Sequence, residues 1–174
     1  MTIKDIITVP NETLKKISEP IEKVGVNEIK LVNELFETMY RSNGIGLAAV
    51  QVGILKRILV IDVSNKDKKN EPMTFINPVI KKLSEETSIY EEGCLSIPDT
   101  FIEIERPRIC EIEFIDIKGK IQNLKCDGLL STCIQHEINH LDGKLIIDHL
   151  SKLKRDLIIK KISKLRKNPD RIIV

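Results

Sequence analysis

His136-Glu137-Ile138-Asn139-His140 is the stretch of this chain whose residue types and spacing speak most directly of chemistry. Histidines four apart on a helix have Cβ atoms roughly 5–6 Å apart, so both imidazoles can reach one cation at about 2.0–2.1 Å. Glu137 stands about 100° further round the same helix, where it can touch a water beside the cation without binding the cation itself. With three histidines and sixteen glutamates in 174 residues, chance would produce this pattern roughly 0.005 times. The HExxH spacing therefore reads as a divalent-metal site built for hydrolysis.

A third ligand decides which kind. A thermolysin-like peptidase would take a downstream Glu and a metzincin another His. After His140 the carboxylates are Asp142, Asp148, Asp156 and Asp170, and the one later histidine, His149, lacks the metzincin spacing. His149 reads as an ordinary surface or core residue. The search turns upstream, where Cys94, Cys110, Cys126 and Cys133 form no CxxC pair. No export signal is visible before Pro10, so the expected compartment is a reducing cytoplasm, where a cysteine can be core filler, nucleophile or ligand.

The elements that must carry these residues follow from periodicity. Residues 11–17 read as a short capped helix. Asn27 is expected to open a longer one, with Ile29, Val32, Leu35, Phe36 and Met39 at helical spacing and Ser42-Asn43-Gly44 as its stop. GIGLAAVQVG is a tight apolar connection, residues 57–63 a buried strand, and SNKDKKNEP a polar loop. Alternating strands fill the middle of the chain, punctuated by Pro78, Pro98 and Pro107. Helical period returns in GLLSTCIQHEINHLDG, with Leu129, Cys133, His136 and His140 on one face. A terminal helix over about 151–167 is expected to pack through Leu153, Leu157, Ile158, Ile162 and Leu165. That order predicts an α+β fold: antiparallel sheets around a central HExxH-bearing helix, in one catalytic domain spanning residues 1–174. A formal charge of +2 excludes a wholesale polyanion binder, and six aromatics argue against a stacking platform for single-stranded nucleic acid. No apolar run approaches membrane-spanning length.

Three short motifs in order make the chain resemble a bacterial-type peptide deformylase: GIGLAAVQ at 44–51, EGCLS at 92–96 and QHExxH at 135–140. The resemblance implies that Cys94 joins His136 and His140 as the third metal ligand, so that Cys133, one turn before His136, is not a ligand. Cys110 and Cys126 are left to strand packing. It implies one divalent metal ion per chain, Fe²⁺ in the cell, with Zn²⁺, Ni²⁺ or Co²⁺ accommodated by the same donors. It implies removal of the formyl group from N-formylmethionyl nascent peptides, with formate released. A water activated by the ion would attack the formyl carbonyl, Glu137 serving as general base and then acid. The Gln51 amide and the Leu95 backbone N–H would stabilise the developing oxyanion; Gln51 read plainly is a brace for its own loop. Gly44 and Gly46 read as places of close backbone approach or positive φ, or as a core-packing pair. Ile45, Gly46, Tyr90, Leu129, Thr132 and Cys133 are candidates to receive the substrate, with plain core an equal reading for Leu129 and Cys133. Asn139 departs from the family's Asp, so a charged contact, expected to Arg106, becomes a neutral one.

Two other readings stay open on the sequence: a small HExxH metallopeptidase, and a non-catalytic ribosome-associated module with a structural ion. The second would want four protein ligands where three are found. The basic terminal helix (Lys152, Lys154, Arg155, Lys160, Lys161, Lys164, Arg166, Lys167) is either a ribosome-docking face near the exit tunnel, as the resemblance implies, or a solvated face. Neither membrane association nor specific DNA binding is expected.

Overall fold

The structure is a computed structural model that describes residues 3–64 and 70–167; most of the polar loop expected at 64–72, Asp170, and the side chains of Arg166 and Lys167 lie outside the described residues. Asn11 caps a 3-10 turn, Glu12–Lys15, by accepting the Thr13 N–H at 2.9 Å. Helix α1 (Val26–Arg41) opens one residue before the expected Asn27, because the Glu28 carboxylate reaches back to the Gly25 N–H at 3.0 Å and closes the first turn. It buries Leu31, Val32, Leu35 and Met39, while Ile29 remains 41% exposed at the edge of the stripe.

A five-stranded sheet runs in the order β1 (Gly46–Ala48), β2 (Ile58–Ile61), β3 (Met73–Leu83), β6 (Ile109–Ile115), β7 (Ile121–Asp127), and each neighbouring pair is antiparallel. Every residue of β2 is buried because the sheet is covered on both faces. Leu59 and Ile61 pack with Phe75, Ile112, Ile134 and Ile138 on the side of helix α2 (Gly128–Leu141). Ile58 and Val60 point the other way, toward Leu31, Leu35 and Met39 of α1. Each such side chain contributes about 1.5–3 kcal/mol by leaving water. Pro78 falls at a register shift in β3 between Ile76 and Val79. There Asn77, at φ 50°, turns its side-chain amide to both the N–H and the C=O of Ile21, at 2.8 and 2.7 Å. Cys110 and Cys126 face each other across β6 and β7 and are fully buried in the core.

β4 (Thr87–Cys94) and β5 (Ile97–Pro107) form a separate two-stranded ribbon. Its inward residues Ile102 and Ile104 share a third core with Ile146 and Ile147 of a 3-10 turn, Ile146–His149, and with Ile162 of helix α3 (Lys152–Lys167). The α+β expectation holds. The expected packing face of α3 holds for Ile158 and Ile162 and not for its three leucines. Leu153 and Leu157 are 71% and 58% exposed and Leu165 37%, whereas Ile158, Ile159 and Ile162 make the contact. The helix carries more than one apolar stripe, and the ribbon it meets selects the isoleucine one. Among the described residues no helix is long and apolar enough to cross a membrane.

Candidate metal centre

Helix α2 is buried along nearly its whole length from Ser131 to Leu141, which holds His136 and His140 rigidly on one side of it. Gln135 helps seat the helix: its Nε2 donates to the carbonyls of Ser131 and Pro107 at 3.0 and 2.9 Å. Cys94 arrives from elsewhere. It ends β4 at the tight turn of the ribbon, where Leu95 and Ser96 connect to Ile97 and the ladder shifts register after Gly93. The Ser96 carbonyl accepts the Val9 N–H at 3.0 Å, tying that turn to the N-terminal segment.

One candidate ligand atom from each of Cys94, His136 and His140 lies within 4.8 Å of the others. Cys94 Sγ is 3.2 Å from His140 Nε2, and the imidazole centroids are 5.0 Å apart at 67°. A tetrahedral ion with bonds of about 2.0–2.3 Å needs donors roughly 3.3–3.6 Å from one another, so the set is close to the separation an ion requires. Glu137 Oε2, buried beside the three donors, has no hydrogen-bond partner, and a water or other polar guest fits such a place better than an apolar one. The residues fit a divalent cation. Among the described residues no fourth Cys, His or carboxylate joins the three, which leaves the set short of the closed four-ligand arrangement of a structural ion.

The surrounding charges are arranged around His136. Glu92, 6% exposed, accepts from His136 Nδ1 at 2.8 Å through Oε2, and the same carboxylate takes two hydrogen bonds from the Arg106 guanidinium. A carboxylate at Nδ1 keeps the proton there and leaves the Nε2 lone pair free for a metal. The remaining Arg106 nitrogen donates to Asn139 Oδ1 at 2.8 Å, so Asn139 finishes the guanidinium without adding charge. Burial works against the Glu92 anion, and the hydrogen bonds from His136 and Arg106 outweigh it, holding the carboxyl below its usual range. Burial likewise disfavours a charged His136, but Cys94 and Glu92 reverse this and raise it to about 10, so the pocket favours a cation on Nε2, a proton until a metal ion displaces it. His140, buried with His136 and Arg106 nearby, is held well below its ordinary value and stays neutral. Burial, with Glu92 adding to it, raises Glu137 to about 7 despite the opposing pull of His136.

Gln51 does two things at once. Its Oε1 accepts the Ala48 N–H at 2.9 Å, which braces the 3-10 turn Ala49–Val52, while Nε2 reaches Ser96 Oγ at 3.2 Å and Cys94 Sγ at 3.7 Å. Leu95 sits beside the sulfur in the chain, and its side chain lies where a Cβ on Gly44 would be, at 2.8 Å. Neither Gly44 nor Gly46 has a positive φ, so close approach is the reason for both.

These groups open on a cleft of about 500 Å³. Ile45, Gly46, Tyr90, Leu129, Thr132 and Cys133 all line it, together with Gln51, Cys94, His136 and Glu137. Leu129 is 43% exposed at the rim, which removes the plain-core reading for that residue; Cys133 is buried. Sequence reasoning missed Asn43 and Phe101, which also face the cleft, and the bridging part of Glu92. Downstream of α2 nothing competes for the ion. Asp142 pairs with Arg57 at 2.8 Å, Asp148 caps the Leu145 N–H at 2.8 Å, and both Asp156 and His149 are exposed. The metallopeptidase reading therefore finds no third ligand there among the described residues.

Comparison with known proteins agrees with this geometry. The family described as polypeptide deformylase matches residues 3–156. The peptide deformylase of Pelagibacter ubique is 57% identical over 174 residues, covering all of both chains, and that of Rhizobium meliloti is 48% identical over 167 residues, 96% of each. The crystal structure of the Ehrlichia chaffeensis peptide deformylase superposes with a TM-score of 0.91 at 42% identity, covering 98% of this chain and 100% of that one. With an HExxH helix and a distant cysteine converging on one point, and relatives of this name matching end to end, the chain belongs to the peptide deformylase family, metal-dependent hydrolases that remove the formyl group from peptide N-termini.

Proposed function

We propose that Cys94, His136 and His140 hold one divalent ion, Fe²⁺ in the cell, and that the surrounding residues deformylate N-formylmethionyl nascent peptides at this point. The convergence of one sulfur and two imidazole nitrogens within 4.8 Å, next to a buried carboxyl, carries the reading. One sulfur with two nitrogens also accommodates Zn²⁺, Ni²⁺ and Co²⁺. The ion, when bound, supplies Lewis acidity, which acidifies water and polarises the formyl carbonyl.

The chain's own residues do the rest. Glu137 takes a proton from the attacking water and returns it to the departing amine; its carboxyl is buried, with Oε2 free of any other partner, and so is placed for both tasks. The Gln51 amide, already oriented through its Oε1, and the Leu95 N–H donate to the oxygen that gains charge, and loss of one such donor costs about 10²–10³ in rate. Glu92, fixed by Arg106, keeps His136 in the tautomer that presents Nε2. The methionine side chain enters the cleft among Ile45, Tyr90, Leu129, Thr132 and Cys133, and its burial contributes about 1.5–3 kcal/mol. The peptide backbone pairs in extended form beside Gly46 and the strand before Cys94.

The whole of residues 1–174 acts as one catalytic unit in the cytoplasm. The exposed lysines of α3, at 152, 154, 160, 161 and 164, flank the uncovered Leu153 and Leu157, which supports docking of this helix on the ribosome near the peptide exit. Formate release from a formyl-Met dipeptide by protein loaded with Fe²⁺, Ni²⁺ or Co²⁺ tests the central reading. Release abolished in Glu137→Ala supports it, and no release from any loaded wild-type form refutes it. Metal analysis of anaerobically purified protein identifies the ion. Salt-dependent ribosome association measured with and without α3 tests the docking, which unchanged binding would rule out.

A further inference from the structure

Gly46 sits in β1, paired with Ile61 of β2, and is not among the glycines with positive φ. Glycine inside a strand weakens it, so its presence there calls for a cause. Left-handed backbone is not the cause, because the glycines with positive φ are Gly53, Gly119, Gly128 and Gly143. Contact is. A Cβ built on Gly46 would stand 2.5 Å from Glu137 Oε1, 3.0 Å from Cδ and 3.1 Å from Cγ. The end of the Glu137 side chain thus lies directly on the bare Cα of residue 46. Gly44 differs: what a Cβ would meet there is the tip of the half-buried Leu95 side chain, which can swing aside. Glu137 has no such freedom, being 5% exposed on a helix packed along its length against the sheet.

We infer that Gly46 is a positioning residue for Glu137: the missing side chain in β1 sets where the carboxylate stands relative to Cys94, His136 and His140. A methyl group there could be accommodated only by turning the carboxylate away, and a displacement of about 1 Å at a reacting group is enough to cost on the order of 10²-fold in rate. This inference rests on the proposal that Glu137 moves the proton. It differs from a role for Gly46 in pairing with the peptide backbone, which would act on KM.

The experiment is a cycle of Gly46→Ala with Glu137→Ala, which removes the Cγ, Cδ and Oε1 atoms that the added methyl would meet. Metal content, melting temperature, kcat and KM are measured for each ion-loaded protein. Gly46→Ala alone is expected to lower kcat about 100-fold, with KM within about twofold and one ion still bound per chain. In the Glu137→Ala background the same change is expected to lower the residual rate less than about threefold. Equal losses in both backgrounds, an unchanged kcat, or a loss carried by KM would overturn the inference. Wild type releasing no formate would instead overturn the proposal beneath it. If Gly46→Ala lowers stability too far for kinetics, the melting temperature of Gly46→Ala/Glu137→Ala decides. Equality with Glu137→Ala alone supports the contact, and a melt as low as that of Gly46→Ala refutes it.

Discussion

Arg106 and Glu92 form a buried ion pair, with side chains 7% and 5% exposed, and the carboxylate of that pair is also the acceptor for His136 Nδ1. Two functions therefore pass through one group, and they can be separated. Arg106→Leu leaves a carboxylate buried without its counter-charge, which costs about 3–5 kcal/mol. For a chain of this size each kcal/mol lowers Tm by about 2–4 °C, so a fall of roughly 6–20 °C is expected. Replacing both members, Glu92→Leu with Arg106→Leu, removes the uncompensated charge and should recover much of that loss, because apolar substitutes for a buried pair are often neutral or better. Metal retention should not recover. His136 has lost its acceptor in the double variant, and losing such a support typically weakens metal affinity about 10–100-fold. Thermal melts report the first quantity, and the rate of Co²⁺ or Ni²⁺ release to a chelator reports the second. A double variant that melts lower than Arg106→Leu, or one that holds its ion as tightly as wild type, would refute the reasoning.

Glu137→Ala should lower formate release by about 10²–10⁴-fold while one ion per chain is retained, and metal analysis beside the kinetics checks both halves. Gln51→Glu keeps an acceptor for the Ala48 N–H but replaces the amide donor, so kcat should fall about 10²–10³-fold; because residue 51 is 1% exposed the new carboxyl also lowers Tm, and a lowered Tm with kcat unchanged would mean that the residue only braces its loop. Chelator-stripped protein should take up iodoacetamide at Cys94 alone, since Cys110 and Cys126 are fully buried and burial first, then Glu137, pushes Cys133 up to about 12. Peptide mapping that finds Cys133 modified in folded protein contradicts this. The Tyr40 hydroxyl donates to Asp62 at 2.6 Å, and burial with that hydrogen bond raises the phenol to about 12. The folded value lies above the unfolded one of about 10, so the stability gained over Tyr40→Phe, about 1 kcal/mol, is complete below pH 10 and vanishes as the pH rises through 12. Melts of both proteins at pH 8 and pH 11 show whether the difference closes.

The two imidazoles were legible in the sequence because a helix has one period, and a spacing of four can mean little else on a buried apolar stretch. Cys94 was not legible from spacing, since 42 residues and three strands separate it from His136; only the ordered motifs pointed to it. Strand alternation sends Glu92 and Arg106 inward along with Ile102 and Ile104, and two opposite charges at positions meant for burial were a signal of their pairing. What alternation cannot say is that the pair would also reach His136 on another element. The face of α3 was legible only at Ile158 and Ile162, for the opposite reason. Apolar residues at 153, 157, 158, 159 and 162 satisfy helical spacing in more than one way, and the choice belongs to the ribbon underneath.

The cleft lies along a seam. Its walls come partly from the two-stranded ribbon and partly from β1 of the larger sheet, and among the described residues no ladder hydrogen bond joins one sheet to the other. Side chains tie the ribbon to what surrounds the cleft, Gln51 to Ser96 and Arg106 to Asn139 of α2 among them, beside the backbone bond from the Val9 N–H to the Ser96 carbonyl. Cys94 stands on the ribbon and His136 and His140 on α2, so an ion held by the three would fasten the ribbon to the helix, and stripping it would cost the fold a rivet as well as the enzyme its chemistry.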